Sequence, residues 1–176
     1  MRKLQNEELN RISTGEFKTV PKIPLVLVLD NIRSMNNIGS VFRSADAFLV
    51  EAIFLCGITA TPPHKDIHKT ALGATESVEW KYYGTTGEAI EVLRKKGYKI
   101  GAIEQTEGSI LLGDYTFQAD SKYALIFGHE VRGVQQKVID LCDFAIEVPQ
   151  YGTKHSLNIS VCAGIVIWEF YRSSGK

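Results

Sequence analysis

From Pro24 onward the chain repeats one alternation: a short run of Val, Ile, Leu and Phe, then a longer segment with apolar residues at helical spacing. Apolar runs of strand length without polar alternation belong to strands covered on both faces, and crossover helices over a parallel sheet are what cover them. The pattern predicts an α/β fold, a mostly parallel sheet flanked by helices. Strands are expected at 25–29, 52–56, 78–83, 99–104, 123–127 and 144–148, the last of the set. Helices are expected at 38–48 behind Asn36 and Asn37 as capping residues, near 67–74, at 86–96 closed by Gly97, and at 134–142. A final helix over 156–171 is apolar enough to be packed on two surfaces. Residues 57–65, with Pro62 and Pro63, read as a loop. Residues 1–22 read as a helical arm, with Leu4, Leu9 and Ile12 among charges; residues 23–176 read as one domain, ending in a short polar tail after Tyr171.

A domain of 176 residues buries roughly 70% of its unfolded surface and needs neither disulfide nor metal to fold. Cys56, Cys142 and Cys162 sit in apolar stretches without a Cys-x-x-Cys pair, so they read as buried reduced thiols. The N-terminus lacks the apolar core of a signal peptide, and no apolar run approaches the ~20 residues of a membrane span. The expectation is a soluble, cytoplasmic protein without membrane contact. Lys plus Arg equals Asp plus Glu, which neither points to nucleic acid nor excludes it. Local basic clusters do occur: Arg2, Lys3, Arg11, Lys18 and Lys22; His64, Lys65, His68 and Lys69; Arg94, Lys95, Lys96 and Lys99. The last of these closes a helix, where cations favour the dipole; the first two are the candidates for phosphate contact. His64 and His68 stand four apart, but neighbouring prolines and the lack of a third ligand argue against a metal.

Three polar clusters interrupt the apolar pattern at the ends of its strands. They read Asn37-Ile-Gly-Ser-Val-Phe-Arg43, Phe127-Gly-His-Glu130-Val-Arg-Gly133, and Val148-Pro-Gln-Tyr-Gly-Thr-Lys-His-Ser156-Leu-Asn158-Ile-Ser160. Polar side chains at the ends of the most hydrophobic segments must find partners, and ligands of open α/β sheets bind at the carboxyl ends of strands. The clusters are therefore expected to meet at one pocket. Taken singly, Asn37 reads as a helix cap, Ser156 as the cap of the last helix, and Gly128, Gly133 and Gly152 as turn formers. Together they offer a fixed cation in Arg43, amides in Asn37 and Asn158, and an acceptor in Glu130: a set suited to holding an anion and positioning a hydroxyl.

In their joint spacing the three clusters resemble the motifs of the SpoU (TrmH-like) family of RNA ribose methyltransferases, within the SPOUT superfamily, over about residues 25–170. The resemblance implies a C-terminal trefoil knot and S-adenosylmethionine as cofactor, held by backbone at Gly128, Val148 and Leu157. It implies that Arg43 acts with a substrate phosphate on a ribose 2′-hydroxyl, with Asn37, Glu130, Ser156 and Asn158 as the remaining site positions. It further implies an RNA substrate (tRNA or rRNA), a homodimer, and no metal. No large RNA-binding domain is evident beside the core and its arm. A Rossmann-type enzyme would need a Gly-rich turn after an early strand, and here the first strand runs into Asp30-Asn-Ile-Arg-Ser-Met instead. A catalytically silent RNA-binding module of the same fold is the other reading that the sequence leaves open.

Overall fold

The computed structural model describes residues 1–173, the side chain of Asn6 excepted; the end of the polar tail lies outside the described residues. Seven strands form one sheet: β1 (Ile23–Asp30), β2 (Val50–Cys56), β3 (Glu79–Tyr83), β4 (Tyr98–Ile103), β5 (Ile110–Leu111), β6 (Lys122–Phe127) and β7 (Phe144–Glu147). Their order is β3-β2-β1-β6-β4-β7-β5, and every pairing is parallel. The α/β architecture expected from the alternation is the one observed.

Both faces of the sheet are buried, which is why its central strands are apolar throughout. Leu25, Leu27 and Leu29 of β1 point into one core, shared with Phe42 and Phe170; Val26 and Val28 point into the other, shared with Ile90 and Leu93. The first core lies under α2 (Met35–Ala47) and α7 (Ile159–Ser173), the second under α5 (Thr86–Lys95). At the end of β1, buried Asp30 accepts hydrogen bonds from Thr86 Oγ1 at 2.5 Å and Asn31 Nδ2 at 2.8 Å, tying the strand to the start of α5.

Several element boundaries differ from the sequence expectation, each for a local reason. The cap of α2 is Ser34, whose Oγ accepts from Asn37 N at 3.3 Å; Asn36 and Asn37 fall inside the helix. The helix expected near 67–74 divides into α3 (Lys65–Ala71) and α4 (Ala74–Ser77), because Leu72 and Gly73 both take positive φ. The one expected over 134–142 shrinks to α6 (Gln136–Ile139): Gly133 turns the chain at φ +63°, and tightened i→i−3 bonds at Leu141 and Cys142 end it. Ser156 does not cap the last helix. Asn158 does, its carbonyl accepting from Cys162 N and its Oδ1 from Ser160 N. Within residues 1–22 a 3₁₀ turn (Asn6–Leu9) precedes α1 (Thr14–Thr19), capped by Ser13 and tied to the core by buried Phe17.

Candidate active site

In a parallel sheet all strands deliver their carboxyl ends to one side, and there β4, β6 and β7 open into a cavity of about 620 Å³. Glu104 enters from the end of β4, Gly128 to Val134 from the loop after β6, Val148 and Gln150 from the end of β7, and Ser156 to Ile159 from the entry to α7. Apolar surface from Ile103, Phe127, Ile139 and Leu157 lines the interior.

One wall is held by two carboxylates. Glu130 accepts from the backbone N–H of Ser34 at 2.9 Å, that of Arg33 at 3.1 Å and the Asn37 amide at 3.5 Å. Burial by itself would raise the Glu130 carboxyl, but the backbone N–H groups of Ser34, Arg33 and Glu130 itself, with the Asn37 amide, together outweigh it and hold the carboxyl below its usual range. Asn158 Nδ2 in turn donates to Asn37 Oδ1 at 3.1 Å. The three clusters, distant in sequence, are thus joined by the chain Glu130–Asn37–Asn158. Glu104 is the second carboxylate, accepting from Val134 N and Gln105 N, each at 2.9 Å. Between these carboxylates His129 and Gly133 exchange backbone hydrogen bonds, closing a tight turn. Gly128 is needed for that turn: a Cβ there would lie 2.1 Å from the backbone of Gly133 and Val134. The sequence reads Gly128 as a turn former, and by resemblance as a backbone contact to the cofactor; the close approach of Gly133 and Val134 is the physical reason the turn needs glycine there.

The other wall, residues 148–157, forms no backbone–backbone hydrogen bond among the described residues; its one recorded bond is the His155 carbonyl accepting from Gln105 Nε2 at 3.5 Å. Apart from the His155 carbonyl, its main-chain polar groups therefore stay available to a ligand, and Val148 and Leu157 lie on this stretch. An apolar slot bordered by unpaired main-chain groups fits an adenosine-bearing molecule. Ser156 is exposed on the rim, its hydroxyl making no hydrogen bond among the described residues.

Arg43 lies elsewhere. It is exposed on α2 and lines a second cleft with Arg11, Ser13 and Asp46, making no hydrogen bond or ion pair among the described residues. Asn37, Glu130 and Asn158 are brought together, Ser156 stands beside them at the cavity, and Arg43 is apart. Cys162 lines the cavity, but burial, with Glu104 nearby, pushes its thiol up to about 11. A thiol so raised is no nucleophile at neutral pH. Among the described residues no three His, Cys, Asp or Glu side chains gather as a metal site, and no helix is long and apolar enough to cross a membrane.

The model of the SpoU rRNA Methylase family matches residues 24–168. The chain belongs to this family. A Staphylococcus epidermidis protein assigned by name to the TrmH family of tRNA/rRNA methyltransferases is 31% identical over 148 residues, 84% of this chain and 58% of the relative. The chain thus spans little more than half of that relative's length. Among solved structures, the SpoU methyltransferase AviRb from Streptomyces viridochromogenes, in complex with AdoMet, superposes with a TM-score of 0.74 at 25% identity, covering 89% of this chain and 63% of the other. A structure concerned with 2-OH methylation of C/U34 on tRNA gives 0.77 at 25% identity, covering 88% of this chain and all of the other.

With the family assigned, two residues of this SpoU domain stand out that the sequence reading passed over. Glu104 ends an apolar strand with an acid, the same signal that singled out Glu130. Arg11, noted only as part of a basic cluster, shares the second cleft with Arg43. That adjacency arises from the fold of the N-terminal arm and leaves no mark in local spacing.

Proposed function

We propose that this protein transfers a methyl group from S-adenosylmethionine to a ribose 2′-hydroxyl of a structured RNA, tRNA or rRNA. The observation that carries this reading is that the second and third motif clusters line one cavity, to which Asn37 of the first is tied by its hydrogen bonds with Glu130 and Asn158, and whose second wall makes no backbone–backbone hydrogen bond among the described residues. AviRb's complex with AdoMet and the structure concerned with 2-OH methylation of tRNA support it.

Backbone at Gly128, Val148 and Leu157 would hold the cofactor, which supplies a methyl group on a positively charged sulfur. Glu130, Asn37 and Asn158 brace the walls on either side. Ser156, with a free hydroxyl, orients the acceptor ribose. Arg43 would hold a phosphate of the substrate and that phosphate would take the proton of the 2′-oxygen, while the bound cofactor would supply the methyl group, its carbon–sulfur bond breaking and the neutral thioether leaving as the oxygen–carbon bond forms. A guanidinium that stays protonated is a poor base and a good phosphate ligand, so the proton goes to the phosphate. The exposed, unpartnered state of Arg43 suits this role.

We further propose a homodimer. Val161, Ile165 and Trp168 recur along one exposed side of α7, a stripe of the kind that marks an interface. The trefoil threading implied by the motifs finds support in β7: last in sequence, it lies inside the sheet between β4 and β5. We also propose a cytoplasmic setting, which suits an RNA substrate and bacterial relatives.

The test is methyl transfer from labelled S-adenosylmethionine to total tRNA and rRNA, followed by mapping of the modified nucleotide. The mapped RNA is then made with a single 2′-deoxy residue at the target. It should still bind, because phosphate contacts carry most of the affinity, and should accept no methyl group. Equal methylation of the deoxy substrate would move the acceptor to a base atom. Arg43→Ala should lower turnover by roughly 10²–10⁴-fold with little change in cofactor affinity or Tm; near-normal turnover would remove Arg43 from the mechanism.

A further inference from the structure

Beyond the cofactor cavity and the Arg43 cleft, the protein has a third cavity, about 500 Å³, between Pro62 and Pro63, the start of α3, and Trp80 of β3. We propose that it receives one unpaired nucleobase of the substrate RNA, stacked on the Trp80 indole, with the adjoining phosphate on Lys65. This rests on the RNA reading above and adds to it a contact to a base neighbouring the phosphate held at Arg43.

The chemistry of the slot selects its occupant. Trp80 is half-buried, packed against the core, and its indole N–H makes no hydrogen bond among the described residues. His64 uses Nδ1 to accept from Asp66 N at 3.2 Å, so its ring proton sits on Nε2 as a free donor. Lys65 and His68 line the same slot, and neither they nor Lys69 form an ion pair among the described residues. An aromatic plate beside prolines, edged by N–H donors and cations, matches a flat acceptor-rich ring carrying a phosphate. It also gives a use to the basic cluster His64, Lys65, His68 and Lys69.

Location strengthens the assignment. Glu76 lines both this slot and the Arg43 cleft, so the two adjoin across α4, a helix about 6 Å long. Glu76 is the one carboxylate lining the slot, at its boundary with the neighbouring cleft. A strand whose phosphate reaches Arg11 and Arg43 can therefore set a neighbouring base on Trp80.

The protein has two tryptophans, so fluorescence reads the site directly. Titration with a single-stranded oligoadenylate RNA should quench the emission saturably, and Trp80→Phe should abolish that quench; a quench that persists in Trp80→Phe overturns the proposal. Inorganic phosphate should not reproduce the signal, and polyglutamate quenching Trp80 as strongly as RNA would reduce the slot to a cationic patch. On the RNA mapped above, Trp80→Ala should raise KM by roughly 5- to 150-fold with kcat and cofactor affinity held. Lys65→Gln should lower the slope of log K against log salt by about 0.7. An unchanged KM and salt slope would refute the contact. If the parent methylates no RNA yet oligoadenylate still quenches Trp80, the slot stands and the methyl-transfer reading fails; methylation with no quench fails the slot alone.

Discussion

The two loops that shape the main cavity are built in opposite ways. After β6, the chain through residues 128–134 is gripped by its own backbone bridge and by Glu104, while Glu130 grips the start of α2. After β7, residues 148–157 run past the same cavity with no backbone–backbone hydrogen bond among the described residues, the His155 carbonyl accepting only from the Gln105 side chain. One wall is finished by folding and the other is left for a ligand to finish. Binding should therefore cost little ordering on the first side and most of it on the second, which makes the second loop the place where affinity and turnover can be tuned without unfolding the domain.

Substitutions can break this contrast or sharpen it. The largest effect is expected at Gly128→Ala, where the new Cβ meets backbone at 2.1 Å. Forced backbone movement should cost about 3 kcal/mol and lower Tm by about 6–12 °C in thermal melts. Gly152→Ala is the matched control on the other loop, since a Cβ there meets nothing within 4 Å; a comparable loss would show that this loop is packed after all. Glu130→Ala removes the acceptor of Ser34 N, Arg33 N and the Asn37 amide and should cost about 2 kcal/mol by urea midpoint.

The Glu130 carboxyl also carries a pH signature. Its folded-state value is depressed, so its contribution is fully present above the unfolded value of roughly 4.3 and is lost as pH falls through the folded value. The stability gap between parent and Glu130→Gln should be constant above about pH 5.5 and close on further acidification; a gap that widens in acid has the wrong sign for this account. Asn158→Ala, losing a cap and the bond to Asn37, should cost about 1 kcal/mol. Least affected is Ser156→Ala, with stability within about 0.5 kcal/mol of the parent, so that any loss of methyl transfer reads on the site alone.

The central strands were legible because burial on both faces leaves no polar residue to interrupt them: Leu25 to Leu29 could hardly be anything else. Turns were legible where a glycine closed a helix, as at Gly97, which takes φ +81°. What escaped is what depends on distant partners. Ser34, Asn36 and Asn37 are all good capping residues; the helix uses Ser34, whose Oγ accepts from Asn37 N while Glu130, distant in sequence, holds the N–H groups of Arg33 and Ser34. β5 is two residues long and exists because β7 lies alongside it. Glu130, Asn37 and Asn158, grouped in the sequence by the spacing of their clusters, are linked by hydrogen bonds, whereas the separation of Arg43 from them was not visible: a helix carries both Asn37 and Arg43, but turns them to different neighbours.

The order of the strands in the sheet also bears on how the chain reaches this structure. Leu25 of β1 is paired with Tyr123 of β6, roughly 100 residues away, a high contact order that slows folding. At ordinary rates of synthesis, one side of β1 remains without its neighbour for about 5–20 s after it is made. β4 is more exposed still, because its partners are β6 and β7, both of which come later. During that interval the most apolar strands of the protein present open edges to anything else in the cell, so the nascent domain should be most in need of chaperone protection between the synthesis of Tyr98 and that of Phe127.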